Sequence, residues 1–276
     1  MKWSLPVLIV LASAVPSAEN GVRAAALDEP AGKEQEKTEQ IARLELMKNS
    51  LKDYEFRGAK DGAPMKLHAD PLLRWNNPVS GVRDGAVFIW TAGGRPRAAA
   101  QVFQLKDGMW LHEFQSLSGE PFQAVAADGR PIWSPSRAGI DMKPAPDAPV
   151  PATSERQRLT QMSDIAREYS AIDDFEDRKS RWELRLLSKP IYRYAAAAEG
   201  ILDGALFAFA HGTDPEVFAL IEAVETAKGT EFRIGLAPMT AYAVEVSRKD
   251  KAVWNAPYRK PPFDPREPFF IRQYQP

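Results

Sequence analysis

Two stretches of the chain place apolar residues at helical spacing, with polar residues on the opposite face. From residue 34 to about residue 54, Ile, Leu and Met recur every three or four positions among Glu, Lys and Gln. The second stretch begins at Ser154, a residue type that caps helix N-termini, and extends to about residue 174. The pattern predicts two helices, each followed by a longer stretch that is typical of strands.

Short apolar runs follow each predicted helix and are separated by turn sequences such as Asp-Gly and Gly-Gly. After the first helix they comprise residues 65–68, 72–75, 86–91, 98–105, 109–117, 122–126 and 131–133. After the second helix they comprise residues 182–187, 205–210, 217–224, 232–236, 241–247 and 253–254. The links are too short for the crossovers that parallel strands need, so the runs predict antiparallel meanders.

The segment 215–227 allows two interpretations. Asp214 can cap a helix that has Pro215 at its first position, which favours a helix. The segment 97–105, which aligns with it, follows a predicted hairpin turn, which favours a strand. Because of this alignment, we predict a strand.

The alignment comes from an internal duplication. Residues 71–90 match residues 190–209 without a gap, at a shift of 119 (190 minus 71). Nine of the 26 positions from 71 to 96 are identical, where unrelated segments would share roughly two. The duplication predicts an α+β protein of two similar units, each one helix followed by a curved antiparallel meander. In outline this arrangement is cystatin-like or nuclear-transport-factor-2-like, an analogy that carries no function.

The domain organisation follows from these patterns and from the N-terminus. Lys2 precedes a short apolar run at residues 5–15, which is typical of an export signal cleaved after Ala14 or Ala18; an uncleaved signal anchor is the alternative. The predicted segments are a signal peptide at 1–18, a disordered leader at 19–33, unit 1 at 34–141, a Pro/Ala linker at 142–153, unit 2 at 154–258 and a Pro-rich tail at 259–276.

Composition narrows the classes of function. The 276 residues contain no cysteine and three histidines, so we expect no disulfide, no metal site and no cofactor. The net charge of −1 gives no argument for a nucleic-acid partner. No segment after the N-terminus approaches the ~20 apolar residues of a membrane span, so the mature chain is expected to be soluble.

The first copy of the duplicated segment also resembles a known family. Its sequence Arg-Trp-x-Asn-Pro-Val-Ser-Gly-Val-Arg-Asp-Gly-Ala-Val-Phe, followed by Trp-Leu-His-Glu-Phe-Gln-Ser-Leu at 110–117, is similar to a family of exported bacterial proteins of uncharacterised function. The similarity runs from about residue 40 to 260. It implies export and a globular fold, and it brings no catalytic residue.

Charged residues inside the duplicated segment are the first candidates for a site. Arg74 and Asp84 recur as Arg193 and Asp203. In a structural role, each arginine is held by a carboxylate or by carbonyl groups and fixes a loop. In a functional role, each pair forms an anion or carbohydrate subsite. Duplication favours the structural role, because a catalytic pair need not occur twice.

A second candidate breaks the symmetry of the duplication. His112 aligns with Arg233, and Glu113 aligns with Ile234. In a strand, His112 shares a face with Trp110 and Phe114, whereas Glu113 points to the opposite face. His112 is therefore either stacked on aromatic residues or a general base in a groove. The candidate binding residues are Trp110, His112, Arg233, Arg74 and Arg193.

These observations predict an exported, soluble protein that binds a partner or acts as a scaffold in the cell envelope, without catalysis. An envelope protein or a glycan is the expected partner. The alternative is a hydrolase or lyase acting on a small molecule or glycan, with His112 and a carboxylate such as Asp84 as catalytic residues. A third possibility is a subunit of a larger envelope assembly that docks through the leader or the tail.

Overall fold

The structure is a computed structural model that describes residues 28–175 and 179–276. The predicted signal peptide and residues 19–27 of the predicted leader lie outside the described residues. Two α-helices occur in the described part of the chain: α1 (Asp28–Leu51) and α2 (Glu155–Arg167). The helix α1 begins six residues earlier than the pattern predicts. No helix among residues 28–175 and 179–276 is long and apolar enough to cross a membrane.

The chain divides into two compact units, Met1–Ala42 and Arg43–Pro276. In the first unit the described residues belong to α1, whose surface is almost entirely polar. Its side chains interact with each other one helical turn apart, as in the hydrogen bond from Gln35 Nε2 to Glu39 Oε1. The second unit contains all the described strands, and the segment 142–153, predicted as a linker, lies within it.

Eighteen strands occur in the described residues of the second unit. In the first half of the chain they are β1 (Tyr54–Gly58), β2 (Lys66–Leu67), β3 (Leu73–Asn77), β4 (Val82–Ala92), β5 (Arg95–Leu105), β6 (Trp110–Ser116), β7 (Phe122–Ala126), β8 (Pro131–Trp133) and β9 (Lys143–Pro144). In the second half they are β10 (Tyr169–Asp173), β11 (Trp182–Leu186), β12 (Tyr192–Ala196), β13 (Ile201–His211), β14 (Asp214–Thr226), β15 (Gly229–Pro238), β16 (Val244–Arg248), β17 (Lys251–Ala256) and β18 (Phe269–Tyr274).

These strands form three sheets. The small sheet has the order β1-β7-β8. The first large sheet has the order β18-β6-β5-β4-β2, with β3 also on β4, and the second large sheet has the order β17-β16-β10-β11-β13-β14-β15-β9, with β12 also on β13. Every pair is antiparallel, as predicted. The segment 215–227 belongs to β14 up to Thr226, so the prediction of a strand there is confirmed.

The two large sheets pack against each other through one hydrophobic cluster. Val87 and Ile89 of β4 belong to this cluster, together with Leu206 of β13 and Phe218 and Leu220 of β14. Successive residues of a strand point to opposite faces of the sheet. The residues that alternate with those of this cluster therefore face outwards, where a helix can pack on them. Two further clusters therefore occur on the outer faces of the sheets.

On the outer face of the first large sheet, Phe88 and Trp90 of β4 pack with Met47 and Leu51 in the last turn of α1. On the outer face of the second large sheet, Phe207 and Phe209 of β13 pack with Met162 and Ile165 of α2. Ser154 caps α2, as predicted, by accepting a hydrogen bond from the backbone N–H of Gln157. In the second unit, both sheets are therefore apolar on both faces.

The predicted fold class of two helix-plus-meander units is wrong. The protein is mostly β-structure, and its three sheets do not follow the predicted units. Strand β7 leaves the first meander to pair with β1, and β18 from the predicted Pro-rich tail pairs with β6. Strand β9, from the predicted linker, pairs with β15. These pairings join segments that are distant along the chain, and local apolar patterns do not encode them.

The second helix is also shorter than predicted. It ends at Arg167, and residues 169–173 form β10 between β11 and β16. In this strand Tyr169, Ala171 and Asp173 are buried, while Ser170 and Ile172 are more exposed. This alternation has the period of a strand, which explains why the helix does not continue.

Candidate functional site

A cavity of about 250 Å³ lies between the two large sheets. Its wall includes Gln101 of β5 and Glu113 of β6 from the first large sheet. From the second large sheet it includes Asp214 and Glu216 of β14. Arg259, from the segment that precedes β18, completes the charged part of the wall. We call this space the intersheet cavity.

Three carboxyl groups line the intersheet cavity and are almost fully buried: Glu113 is 6% exposed, Asp214 is 8% exposed and Glu216 is 3% exposed. Asp214 Oδ2 accepts a hydrogen bond of 3.2 Å from Nδ2 of the buried Asn77. The backbone of Glu216 is fixed by a 2.7 Å hydrogen bond from Met239 N–H to Glu216 O. The three acids therefore have defined positions on two facing sheets.

Burial changes the protonation of these acids. Loss of solvation, helped by the nearby Asp173, raises the pKa of Asp214 to about 8, although hydrogen bonds with Asn77 and Gln101 oppose this shift. Burial also raises the pKa of Glu113 and Glu216 well above the usual value for glutamate, and the nearby Asp214 adds to both shifts. Asp214 thus disfavours ionisation of both glutamates, and Glu113 disfavours ionisation of Glu216, which indicates that the three acids lie close together.

Arg259 is the basic residue of the cavity wall. Burial lowers the pKa of Arg259, and the nearby Arg137 lowers it further, whereas Glu267 and Glu113 oppose the shift. Its guanidinium lies 5.0 Å from the centre of the Phe269 ring. Its backbone N–H donates a 2.8 Å hydrogen bond to Ala241 O, which holds the segment against the second large sheet.

Four buried polar atoms of the residues that line this cavity have no hydrogen-bond partner among the described residues. Trp75 Nε1 and Arg259 Nη1 are donors, and Gln101 Oε1 and Glu113 Oε1 are acceptors. The other end of the Gln101 amide is occupied, because Nε2 donates to Pro215 O at 2.7 Å and to Met239 O at 3.1 Å. Buried polar atoms are normally paired, so these four atoms are candidate contacts for a ligand.

A second buried acid between the sheets, Glu222, differs from Glu113 because both of its carboxylate oxygens accept hydrogen bonds. Glu222 of β14 accepts a hydrogen bond from Tyr194 Oη at 2.5 Å and two from Arg95, at 2.7 and 3.1 Å. It lies outside the intersheet cavity. Glu222 is therefore committed to joining the sheets, whereas Glu113 retains an unpaired oxygen.

His112, for which the sequence left open a stacked position or a general base, lies on the opposite face of β6 from the cavity. It is fully buried, with Nε2 3.0 Å from Ser50 Oγ and Nδ1 2.7 Å from Tyr54 Oη. Its ring stacks on Tyr274 of β18 at a centroid distance of 4.6 Å. Burial and the nearby Arg272 lower the pKa of His112 to about 3. His112 thus matches the alternative of a histidine stacked on aromatic residues.

The structure does not bring Asp84 and His112 together. Asp84 pairs with Gln104 of β5 and His112 pairs with Val102, so a whole strand separates the two residues. Asp84 Oδ2 accepts hydrogen bonds from Arg43 Nε at 3.0 Å and from Arg74 at 2.5 Å. Asp84 therefore holds two arginines in place and does not line the intersheet cavity.

The same arrangement occurs around Asp203. Its carboxylate accepts hydrogen bonds from Arg158 Nε at 3.1 Å and from two nitrogens of Arg193, at 2.9 and 2.7 Å. Arg193 also donates to Glu155 O in the first turn of α2. Arg74 and Arg193 thus connect a strand to an aspartate, and Arg158 ties that aspartate to a helix.

The remaining predicted binding residues lie elsewhere. Trp110 is buried in the cluster on the outer face of the first large sheet. Arg233 of β15 donates to Glu231 Oε1 at 2.8 Å and lines a different, more polar depression. Neither residue lines the intersheet cavity, so this cavity contains none of the predicted binding residues.

The sequence analysis did not identify the charged residues of the cavity. The apolar pattern does not show which face of each strand meets the other large sheet. The signal for Glu113 was present: it is an acid within an apolar strand, it replaces Ile234 of the second copy, and it points away from His112. Asp214 and Glu216 also interrupt an apolar strand, but Asp214 had a local explanation as the cap of a possible helix. No sequence signal pointed to Arg259 as part of the same wall.

Comparisons with known proteins add no further residue. No family model, curated protein or solved structure matches this chain. Within residues 28–175 and 179–276, no group of His, Cys, Asp and Glu side chains is arranged to hold a metal ion. Function is therefore inferred from the intersheet cavity and its side chains.

Proposed function

We propose that the protein is exported and binds a small polar molecule in the intersheet cavity, without catalysing a reaction on it. The supporting observation is a set of four buried polar atoms, two donors and two acceptors, that have no hydrogen-bond partner among the described residues and belong to side chains lining one cavity. Leaving such an atom unpaired costs about 1–3 kcal/mol, and a ligand with complementary groups recovers that cost. The mixture of donors and acceptors favours a polar ligand over a purely apolar one.

The alternative of a hydrolase or lyase acting through His112 and Asp84 has less support. A general base must reach the proton that it removes, and His112 is fully buried with both ring nitrogens within hydrogen-bond distance of side chains. Asp84 is engaged by two arginines. The raised pKa of Asp214 would also suit a general acid, so turnover of the bound molecule has to be measured.

Export remains part of the proposal. It is supported by Lys2 and the apolar run at residues 5–15, and by the resemblance of the first repeated motif to exported bacterial proteins. The proposed role is therefore that of a binding protein of the cell envelope, which takes up a small molecule there or a small part of a glycan.

The indole N–H of Trp75 provides a direct test. The protein is labelled with ¹⁵N-tryptophan, and the Trp75 signal is assigned by its loss in Trp75→Phe. Polar compounds below about 200 Da, grouped as cations, anions, zwitterions and neutral polyols, are added in turn. We expect at least one group to shift the Trp75 signal and to leave that of Trp133 unchanged. Trp133 Nε1 is a suitable internal reference because it already donates to Glu267 O at 2.8 Å.

A matched pair of variants locates the response. Ala241 lines the cavity, so Ala241→Phe should fill it and abolish the shift, whereas the same change at the exposed Ala252 should not. If no group of compounds shifts Trp75, or if Ala241→Phe leaves the shift intact, the cavity is not the binding site. Conversion of the bound compound in the same sample would contradict the proposal that no reaction is catalysed.

A further inference from the structure

We propose that the molecule bound in the intersheet cavity is a small organic cation, a primary amine or a guanidine with one or two positive charges. This inference rests on the proposed binding function and specifies the class of ligand. It is carried by the charges, the unpaired acceptors and the aromatic residues of the cavity wall.

The balance of charge is the first argument. Three carboxyl groups, those of Glu113, Asp214 and Glu216, line the cavity, and Arg259 is the basic side chain that accompanies them. Two acids therefore have no counter-charge in the wall. A buried carboxylate is costly unless a positive charge or hydrogen-bond donors compensate it, and a cationic ligand supplies both.

The placement of the acids is the second argument. Glu113 projects from β6 of the first large sheet, and Asp214 and Glu216 project from β14 of the second. Carboxyl groups thus approach the cavity from two facing sheets. A cation in this position is contacted on opposite sides and stabilises the ionised form of each acid, whereas an anion would oppose their ionisation.

The unpaired acceptors decide the kind of cation. Glu113 Oε1 and Gln101 Oε1 are both almost fully buried and accept no hydrogen bond from the described residues. They require N–H or O–H donors, which a quaternary ammonium ion lacks and which a primary amine or guanidine carries. The unpaired donors Trp75 Nε1 and Arg259 Nη1 allow the same ligand to carry an acceptor at its other end.

The aromatic part of the wall fits this ligand class. Trp75, Phe175, Tyr242 and Tyr258 line the cavity beside the acids. Aromatic faces attract cations, and the attraction is larger where water is excluded. The volume of about 250 Å³ lies below the range of roughly 300–1,000 Å³ typical of drug-sized ligands, so the cation is small.

Binding of a cation should be linked to proton release. Burial raises the pKa of all three acids, so they keep protons more readily than exposed carboxyl groups do, and a bound cation favours their ionised forms. Affinity should therefore increase as the pH rises from about 5.5 to 8, while the amine itself stays charged. A neutral polyol would show no such dependence.

Isothermal titration calorimetry with four probes tests the inference: putrescine and agmatine as cations, glucose as a neutral polyol and glutarate as an anion. We expect the cations to bind and glucose and glutarate not to bind at up to 10-fold higher concentration. Titration in two buffers of different ionisation enthalpy should show release of protons on binding. We expect Asp214→Asn and Glu216→Gln each to weaken binding of the cations at least 10-fold. Glu225→Gln, an exposed acid on the same strand β14, should change it less than twofold.

The outcomes separate this inference from the proposed function. If glucose or glutarate shifts the Trp75 signal and the two cations do not, the cavity binds a ligand but not a cation. If the cations bind but Asp214→Asn and Glu216→Gln bind them as well as the parent protein, the acids do not recognise the ligand. If no probe of any class affects Trp75 or gives heat of binding, both the ligand class and the binding function are wrong.

Discussion

His112 and Glu113 are consecutive on β6 and serve opposite faces of the same sheet. His112 lies within hydrogen-bond distance of Ser50 Oγ and Tyr54 Oη on the outer face, whereas Glu113 lines the intersheet cavity on the inner face. The same strand therefore carries one residue that packs on the outer face and one residue that lines the candidate site. Substitutions at the two positions should therefore have separable effects.

Replacement of His112 should affect stability and not binding. His112→Ala removes the hydrogen bonds to Ser50 and Tyr54 and leaves a space beside Tyr274, so we expect the free energy of unfolding to fall by about 2–4 kcal/mol. Glu113→Gln should have the opposite profile: a smaller change in stability and a loss of the ligand-induced shift of Trp75. Urea unfolding and the Trp75 signal measure the two effects. Loss of the Trp75 shift in a folded His112→Ala would contradict the separation.

His112 also predicts a slope of stability with pH. Burial lowers its pKa to about 3 in the folded protein, below the value of 6.5 from which it is shifted. Between these two values the unfolded chain binds more protons, so this residue makes the free energy of unfolding decrease as the pH falls from about 6.5 towards 3. In His112→Ala that contribution should be absent, which unfolding at pH 4.5 and pH 7 would reveal.

Asp214 predicts a slope of the opposite sign. Its pKa is raised to about 8 in the folded protein from 3.8, so the folded state binds more protons between these values. Its contribution to stability is present at low pH and is lost as the pH rises towards about 8. We expect the stability of Asp214→Asn, which cannot ionise, to rise relative to the parent by at least about 1 kcal/mol between pH 5 and pH 8.

The control for this comparison is Glu225→Gln, which removes an exposed acid from the same strand. It should leave stability within about 0.5 kcal/mol at both pH values. Thermal unfolding of the three proteins at pH 5 and pH 8 provides the measurement. An Asp214→Asn variant that is less stable than the parent at pH 8 would show that this carboxyl group is ionised and paired in the folded state.

The strand hairpins were predictable from the sequence because they depend on neighbouring residues. The hairpin of β4 and β5 turns at Gly93 and Gly94, both with positive φ, and alternation marks the strands on either side. The β14 strand followed from its alignment with β5. The pairing of β18 with β6, and of β1 with β7, joins segments far apart in the chain. Such pairing depends on the assembled sheets, so local periodicity does not predict it.

The candidate site was predictable only in part, for a related reason. Alternation correctly placed His112 and Glu113 on opposite faces. It could not indicate which face meets the second large sheet, and that contact decides which residue borders a cavity. Arg259 follows the last strand of the second large sheet, and only the return of the chain to β6 as β18 brings it to Glu113.

The two arginines that bind Asp203 differ in burial, and this difference predicts unequal losses of stability. Asp203 binds Arg158, whose side chain is 9% exposed, and Arg193, whose side chain is 33% exposed. Asp203→Ala leaves the buried Arg158 without its carboxylate and should cost about 3–5 kcal/mol. Arg193→Ala removes a more exposed partner and should cost about 1 kcal/mol. Urea unfolding distinguishes the two, and equal losses would show that burial of Arg158 does not set the cost.

Two glycines distinguish an effect on the cavity from an effect on packing alone. A Cβ atom at Gly85 would lie 2.5 Å from the Trp75 ring, and a Cβ atom at Gly204 would overlap the Tyr194 ring in the same way. Each Gly→Ala substitution forces an aromatic ring to move, so each should lower the free energy of unfolding by about 1–3 kcal/mol. Trp75 lines the intersheet cavity and Tyr194 does not. Gly85→Ala should therefore also weaken ligand binding, whereas Gly204→Ala should not.

Gly119→Ala is the reference for both substitutions, because a Cβ atom there meets no atom within 4 Å and Gly119 does not have a positive φ. We expect it to change neither stability nor binding by a measurable amount. Urea unfolding gives the loss of stability, and titration followed by the Trp75 signal gives the affinity. If Gly204→Ala weakens binding as much as Gly85→Ala, the loss reflects general loosening between the sheets. If only Gly85→Ala weakens it, the position of the Trp75 ring determines ligand binding.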